Sequence, residues 1–589
     1  MRRVLPLMVL LSCDPVVEPD GGADTSAEPW RPTVVCPGDQ GCDSADGPLE
    51  VGAAAVVITP TCYERFYDCG EDGVCPDDEG WVEADSGEGD AEWDKQTEAF
   101  EDCGCDRLCE GDEGYPGPDE GEANGEFDAI WIAGFQTGRP VNTVHDDLWA
   151  RTIAFQQGTT TVAIVSLDVF GYFFDDVQEV RAMVDEAGIP VDHVIISSTH
   201  NHEGPDTLGQ YGLQIGKRGV NDPWMAEVKQ HIVSSVAEAV AALQPAEMFA
   251  VEVDISKAVP EKGTRNFIND KRDPRIVDEM MGVAWFRAAG GGETIATLVS
   301  FGNHPEALAH INNAITSDFA HYLRETMEQG VDWESGPVEG LGGMSMYLQA
   351  SVGGMMTPLG VEVTNIDGDV YSAATFEKAE AIGQSLGTLA LRELSAASPV
   401  DEPNLRLLAA EMYLPIDNHS FQAMFLMGVF EREAYNYDKT ANLTDQNVPE
   451  LLTEMDLLDI GPVRMLSVPG ELLPELAIGG YDGSHTNIGD YTDPIVDLEK
   501  EYPADLSLAP EGPYLKDQMA RPFNWIIGLG NDELGYIIPE YNFVISERVP
   551  FIEEAGGDHY EETNSLGPRT APLVQEWAEK LIGYAAESQ

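Results

Sequence analysis

Basic residues are scarce in this chain: 32 Lys and Arg stand against 105 Asp and Glu over 589 residues, a formal charge of −73 at pH 7. That balance excludes binding to nucleic acid, or to an anionic lipid surface, through a basic patch. Long apolar runs are missing as well, since no later stretch approaches the ~20 apolar residues of a membrane span. Cysteine stops at Cys109. Any metal bound further along must therefore be held by His, carboxylate or Tyr rather than thiolate. No window carries the alternating Asp/Asn spacing with a central Gly of an EF-hand loop, and no internal repeat stands out. What the chain does have is an apolar fraction of 43% with ten Trp and nineteen Tyr, too rich for a disordered acidic polymer and enough for a sizeable core.

The N-terminus reads as an export signal. Arg2 and Arg3 precede the apolar run Val4 to Leu11, and Leu10-Leu11-Ser12-Cys13 is similar to a bacterial lipoprotein cleavage box. The expectation is a signal peptide over residues 1–12 and an exported protein, either secreted or anchored in the cell envelope through a lipidated Cys13. A plain signal sequence or a misplaced start is the alternative. Residues 13–50 are mostly Pro, Gly, Asp, Glu and Ser and read as an acidic flexible tether. Val51 to Thr59 reads as the first strand. Residues 61–127 are acidic and cysteine-rich with few aliphatics, and read as an insertion stapled by disulfides. Eight cysteines between Cys36 and Cys109 are an even set suited to an exported chain, with their pairing open. The insertion's carboxylates read as a solvated charged face.

From there the chain alternates β-rich apolar runs with helical patterns. Strands are expected at Trp149 to Phe155, Thr161 to Leu167, Val194 to Ile196, Ile295 to Phe301, Val463 to Val468 and Trp525 to Leu529. Helices are expected at Asp175 to Ala187, Pro223 to Leu243, Phe319 to Gln329, Ala373 to Ala397 and Ala571 to Ala586. The fold class implied is α/β, a layered mixed β-sheet body flanked by helices, with residues 51–589 as one catalytic domain.

The most informative stretch is Val194-Ile195-Ile196-Ser197-Ser198-Thr199-His200-Asn201-His202-Glu203-Gly204-Pro205, where a β-branched run stops at two histidines and a Gly-Pro turn. In extended backbone, residues two apart point to the same side, so His200 and His202 can face one cavity, one holding a metal and the other moving protons. Ligands of layered α/β proteins collect where strands end. After three other expected strands come Asn303-His304-Pro305-Glu306, Pro469-Gly470-Glu471, and Gly530-Asn531 followed by Gly535-Tyr536, each a sharp turn beside polar residues. Taken singly, His304 is as well explained as a turn residue, Glu471 as a carboxylate at a helix N-terminus, and Tyr536 as a half-buried core residue. Their occurrence together points to a site. Asp168 reads either as structural or as orienting a ligand histidine. His310, His321, His485 and His559 read as surface or packing residues.

In this order the motifs resemble the catalytic domain of the neutral (alkaline, non-lysosomal) ceramidases, and the likeness also takes in His145 to Phe155, Thr264-Arg265 and Tyr560-Glu561 through Gly567-Pro568. The resemblance implies a Zn²⁺ ion held by His200, His304, Glu471 and Tyr536, with His202 as acid/base and Arg265 and Tyr560 beside the substrate. It implies hydrolysis of the N-acyl bond of ceramide or a similar lipid, by metal-bound water, to a fatty acid and a sphingoid base. Three departures are visible: Glu203 stands where the family commonly has Ser, Asn201 where it has Thr, and the family's Gly-Asp-x-Ser-Pro loop is represented by Gly353-Gly354-Met355-Met356-Thr357-Pro358, with Thr357 in place of the pocket serine. The family's C-terminal immunoglobulin-like domain is not expected. Two rival readings follow, a zinc hydrolase of another amide or ester and a non-catalytic surface lipoprotein acting as a binding module. The partner expected is a lipid-like amide, with no nucleic acid and no protein partner inferable.

Overall fold

The β-branched and alternating runs form strands that gather into two sheets. In the computed structural model, which describes residues 30–75, 78, 81–485 and 494–588, the larger sheet has eight strands. Their order is Met344–Gln349, Thr294–Phe301, Met280–Ala288, Gln244–Asp254, Glu50–Val57, Trp149–Gln157, Thr160–Leu167 and His193–Ser198. The pair at each edge is parallel and the interior pairs are antiparallel. A second sheet of five strands runs Val34–Cys36, Leu405–Pro415, Glu450–Ile460, Val463–Ser467, Phe523–Ile527, with its last pair parallel.

Alternation decides which residues fill which layer. Ile164, Ile195, Leu298 and Leu348 of the large sheet meet Leu407, Leu458, Met465 and Ile527 of the small one in a core between the sheets. The intervening positions Val165, Val194 and Ile196 face away and are covered by Phe174–Glu186 and Asp222–Ala241 through Val177, Val180, Val228 and Ile232. Val283, Val299 and Tyr347 are covered likewise by Phe319–Gln329 and Phe376–Leu394. On the outer side of the small sheet lies Thr570–Glu587, where Arg406 donates to the Ala585 carbonyl at 2.9 Å. Each aliphatic side chain buried this way contributes about 1.5–3 kcal/mol. The helices start where the sequence signals them: Asn221 accepts from the Trp224 amide at 3.0 Å, with Pro223 in the first turn.

Two expectations need correction. The tether expected over 13–50 is folded in its second half. Val34–Cys36 pairs antiparallel with Leu405–Pro415, Cys36 is bonded to Cys42, and both cysteines lie in the inter-sheet core with Leu49. Closing the sheet edge and burying the disulfide outweigh the local Pro/Gly composition. The expected signal peptide and Cys13 lie outside the described residues, and the chain from Pro32 onward forms one compact unit.

The second correction is that the insertion is a tandem repeat. Residues 64–94 and 98–128 align without a gap at a spacing of 34 and are identical at 15 of 31 positions, more than a shared acidic bias explains. The structure uses the repeat reciprocally. Glu98 accepts from the amides of Gly70 and Asp94 at 3.3 and 2.9 Å, while Glu64 accepts from those of Gly104 and Asp128 at 3.1 and 3.0 Å. Between them Phe66 and Phe100 form an antiparallel bridge, with Trp93, Phe100 and Phe127 packed beside it. Disulfides Cys62–Cys105, Cys69–Cys75 and Cys103–Cys109 close the loops. Carboxylates of this solvated face also accept from backbone amides, among them Asp68, Asp85, Asp102 and Asp119.

Candidate functional site

Loops after six strands converge at one end of the sheets. Gln349 donates to the Thr199 carbonyl at 3.0 Å, and Ser166 to the Tyr347 carbonyl at 2.5 Å, so the edge strand Met344–Gln349 lies against the strands that lead into His200. Asn531 ties the small sheet to the same corner: its side chain accepts from the Ile196 amide at 2.9 Å, and its own amide bonds the Ile196 carbonyl at 2.6 Å.

His200 and His202 share a cavity, with ring centroids 4.9 Å apart, but not for the reason expected from extended backbone. The strand has ended at Ser198, and His200 has φ of +62°, a left-handed conformation rare for a side chain of this kind. Its Nδ1 lies 2.9 Å from the Phe170 carbonyl, and His304 Nδ1 lies 2.7 Å from the Met356 carbonyl. Each contact fixes the proton on Nδ1 and leaves Nε2 free as a donor of electrons. Both free nitrogens face one oxygen: Glu471 Oε2 is 3.4 Å from His200 Nε2 and 3.2 Å from His304 Nε2. Among the described residues Glu471 Oε2 has no hydrogen-bond partner. Two imidazole nitrogens and an orphaned buried carboxylate oxygen form a donor set that suits a divalent zinc ion. One ring nitrogen from each of His200, His202 and His304 lies within 4.8 Å of the other two.

His202 differs from its neighbours. Among the described residues neither ring nitrogen makes a hydrogen bond, and burial pushes its pKa well below the usual value, so the ring is neutral. Gly134, with φ of +102°, packs so closely against it that a Cβ there would sit 2.6 Å from Nδ1. Glu203 does not touch the ring. It is buried against Arg139, Nη1 to Oε2 3.6 Å, and accepts from Asn312 at 2.7 Å. Arg139 in turn donates to the carbonyls of Ala133 and His202, so the family departure at 203 forms a clamp behind the loop. The carboxylate beside His202 is Glu306, Oε2 to Nδ1 3.4 Å, and its other oxygen accepts from the Thr357 hydroxyl.

A pocket opens over His200, His202, Glu471 and Tyr536. Its walls are apolar and aromatic: Phe170, Phe173, Leu208, Phe421, Phe425 and Phe430. Tyr536 is the direct partner of Glu471 in a short parallel ladder, and its hydroxyl rests 3.7 Å from Met355 Sδ. Tyr560 lines the mouth, 42% exposed, its ring 6.3 Å from that of Tyr536.

Two expected residues sit elsewhere, and Asp168 takes the structural one of its two readings. Arg265 is exposed in the turn Thr264–Asn266 and lines a separate hollow with Lys262 and Glu362, because burial of Thr264 and Asn266 turns it outward. Thr357 is fully buried behind the pocket, its hydroxyl committed to Glu306. Asp168 orients no histidine: it pairs with Arg324 at 2.7 and 3.0 Å, and the Phe170 carbonyl does the orienting. Sequence reading missed Glu306, although it stands two residues after His304, and Arg139, which lies in no motif.

Residues 123–369 match the model of the family described as neutral/alkaline non-lysosomal ceramidase, N-terminal. The resemblance to the neutral ceramidases holds. Two solved structures share the fold. The neutral ceramidase from Pseudomonas aeruginosa aligns over 92% of this chain and 75% of its own at 14% identity, with a TM-score of 0.54. A ceramidase complexed with C2 aligns over 92% and 76%, also at 14% identity and a TM-score of 0.54. Among curated proteins none matches in sequence. The ceramidase family model ends before Glu471, so the carboxylate and both tyrosines fall in the part where only the fold is shared.

Proposed function

We propose that this protein is a zinc-dependent hydrolase of the neutral ceramidase type, cleaving the N-acyl amide of ceramide or a similar lipid into a fatty acid and a sphingoid base. The observation that carries the reading is the pair of Nε2 atoms, from His200 and His304, turned on one unpartnered oxygen of Glu471 at the floor of an aromatic pocket. These three residues, with Tyr536 as the fourth, would hold the ion. When bound, zinc polarises the amide carbonyl and acidifies water.

The protein's own groups supply the rest. His202, neutral and without hydrogen bonds, takes a proton from the attacking water and delivers it to the leaving amine. Phe170, Phe421 and Phe430 give an acyl or sphingoid chain a dry surface. Tyr560 at the mouth offers a hydroxyl to the amide oxygen. Export is part of the same reading, supported by four disulfides, which persist in oxidising compartments; anchoring through Cys13 is proposed on sequence grounds alone.

The test is elemental analysis together with hydrolysis of N-acylsphingosine. About one zinc per chain is expected, with His200→Ala and Glu471→Ala losing both metal and activity. Full activity in either variant would refute the site, and a panel of N-acyl amides and esters tells ceramide from other substrates.

A further inference from the structure

Glu533 is a buried carboxyl in the pocket that the hydrolytic scheme leaves unused. It is 6% exposed and lines the pocket beside Phe173 and Leu208. One oxygen, Oε1, accepts from the Gly535 amide at 2.8 Å, while Oε2 is buried with no partner. Its position is rigid. The Glu533 amide donates to Asp532 Oδ1 at 2.9 Å, and Asp532 is gripped by both Arg432 terminal nitrogens at 2.8 and 2.9 Å. On its other side Gly171 presses so close that a Cβ there would meet the Glu533 side chain at 2.7 Å. Arg432 also lines the pocket, but its charge is already spent on Asp532.

A buried carboxyl oxygen without a partner carries a desolvation cost that a ligand's hydrogen-bond donor can repay. A hydrocarbon chain cannot repay it. We propose that Glu533 Oε2 is the recognition group for a hydroxyl on the substrate's amine-derived half, so that the site selects N-acyl amino alcohols over N-acyl alkylamines of equal length. This inference rests on the hydrolase reading and narrows it. A hydroxyl donates to Oε2 of the ionised carboxyl or accepts from the Oε2–H of the protonated one, so the recognition does not depend on titration. Discrimination of this kind is strong, because an analogue lacking the hydroxyl leaves the oxygen buried and unpaired.

The experiment compares two matched substrates, N-acylsphingosine and an N-acyl alkylamine of the same chain lengths, on zinc-loaded wild type, Glu533→Gln and Glu533→Leu. Wild type is expected to favour the hydroxylated substrate by ~100-fold or more in kcat/KM. Glu533→Gln should keep most of that ratio, and Glu533→Leu should lower it at least tenfold by losing rate on the hydroxylated substrate alone. Calorimetric binding of free sphingosine and of a plain alkylamine to the same proteins gives a second readout that needs no turnover. Absence of any amide hydrolysis would overturn the hydrolase reading while leaving the binding preference to judge Glu533. Equal binding of the two amines by wild type, or an unchanged ratio in Glu533→Leu, would overturn the role of Glu533.

Discussion

Glu471 and Tyr536 are register partners across two parallel strands, so carboxyl and phenol leave the backbone side by side and both reach the pocket floor. The carboxylate faces the Nε2 atoms of two histidines, whereas the phenol rests on the Met355 sulfur. Removing the phenol oxygen should therefore weaken metal binding without disturbing the ladder. Tyr536→Phe is expected to bind zinc ~10–100-fold less tightly, read by chelator competition, with an unchanged melting temperature. Unaltered affinity would strike Tyr536 from the ligand set.

Thr357 acts on His202 through Glu306. Loss of its hydroxyl frees one oxygen of Glu306 and lets the carboxylate drift from the imidazole. Thr357→Val should lower kcat by about tenfold or more with KM unchanged, the usual scale for an outer partner of a site residue, and Thr357→Ser should restore it. A rise in KM instead would return Thr357 to the substrate pocket.

Asp168 and Arg324 form a bidentate pair with side chains 0% and 2% exposed. Asp168→Asn leaves a buried guanidinium without a counter-charge, at a cost of about 3–5 kcal/mol. Urea unfolding should register that loss while zinc stoichiometry stays at the wild-type value. A variant of normal stability that has lost zinc would restore the orienting role.

Glu475, 2% exposed, has its pKa raised to about 7 by burial. An acid whose folded pKa lies above its unfolded value keeps its proton longer in the native state, so its contribution to stability declines as pH rises from the ordinary carboxylate range through about 7, then stays constant. Glu475→Gln removes that decline. The melting temperature of the variant relative to wild type should climb between pH 5 and pH 7 and level off above. A difference that is flat across this range would contradict it.

Much of the architecture was legible because β-branched runs ended at punctuation. Val194 to Ile196 and Ile295 to Phe301 became strands leading to His200 and His304, and Phe319–Gln329 is a helix with the bounds expected. Strands hidden by amphipathic sequences were not legible. Leu405–Pro415 and Glu450–Ile460 carry Glu and Met at positions that blur a period of two. The site's partners were least visible, because Phe170 and Met356 act through backbone carbonyls that any residue possesses. Arg265 failed for a local reason: its two neighbours claimed the interior.

The two copies within the acidic insertion depend on each other. Glu64 completes the loop of the second unit and Glu98 that of the first, so neither copy contains its own closing acceptor. A lone copy would leave two amides facing nothing where its twin's glutamate belongs.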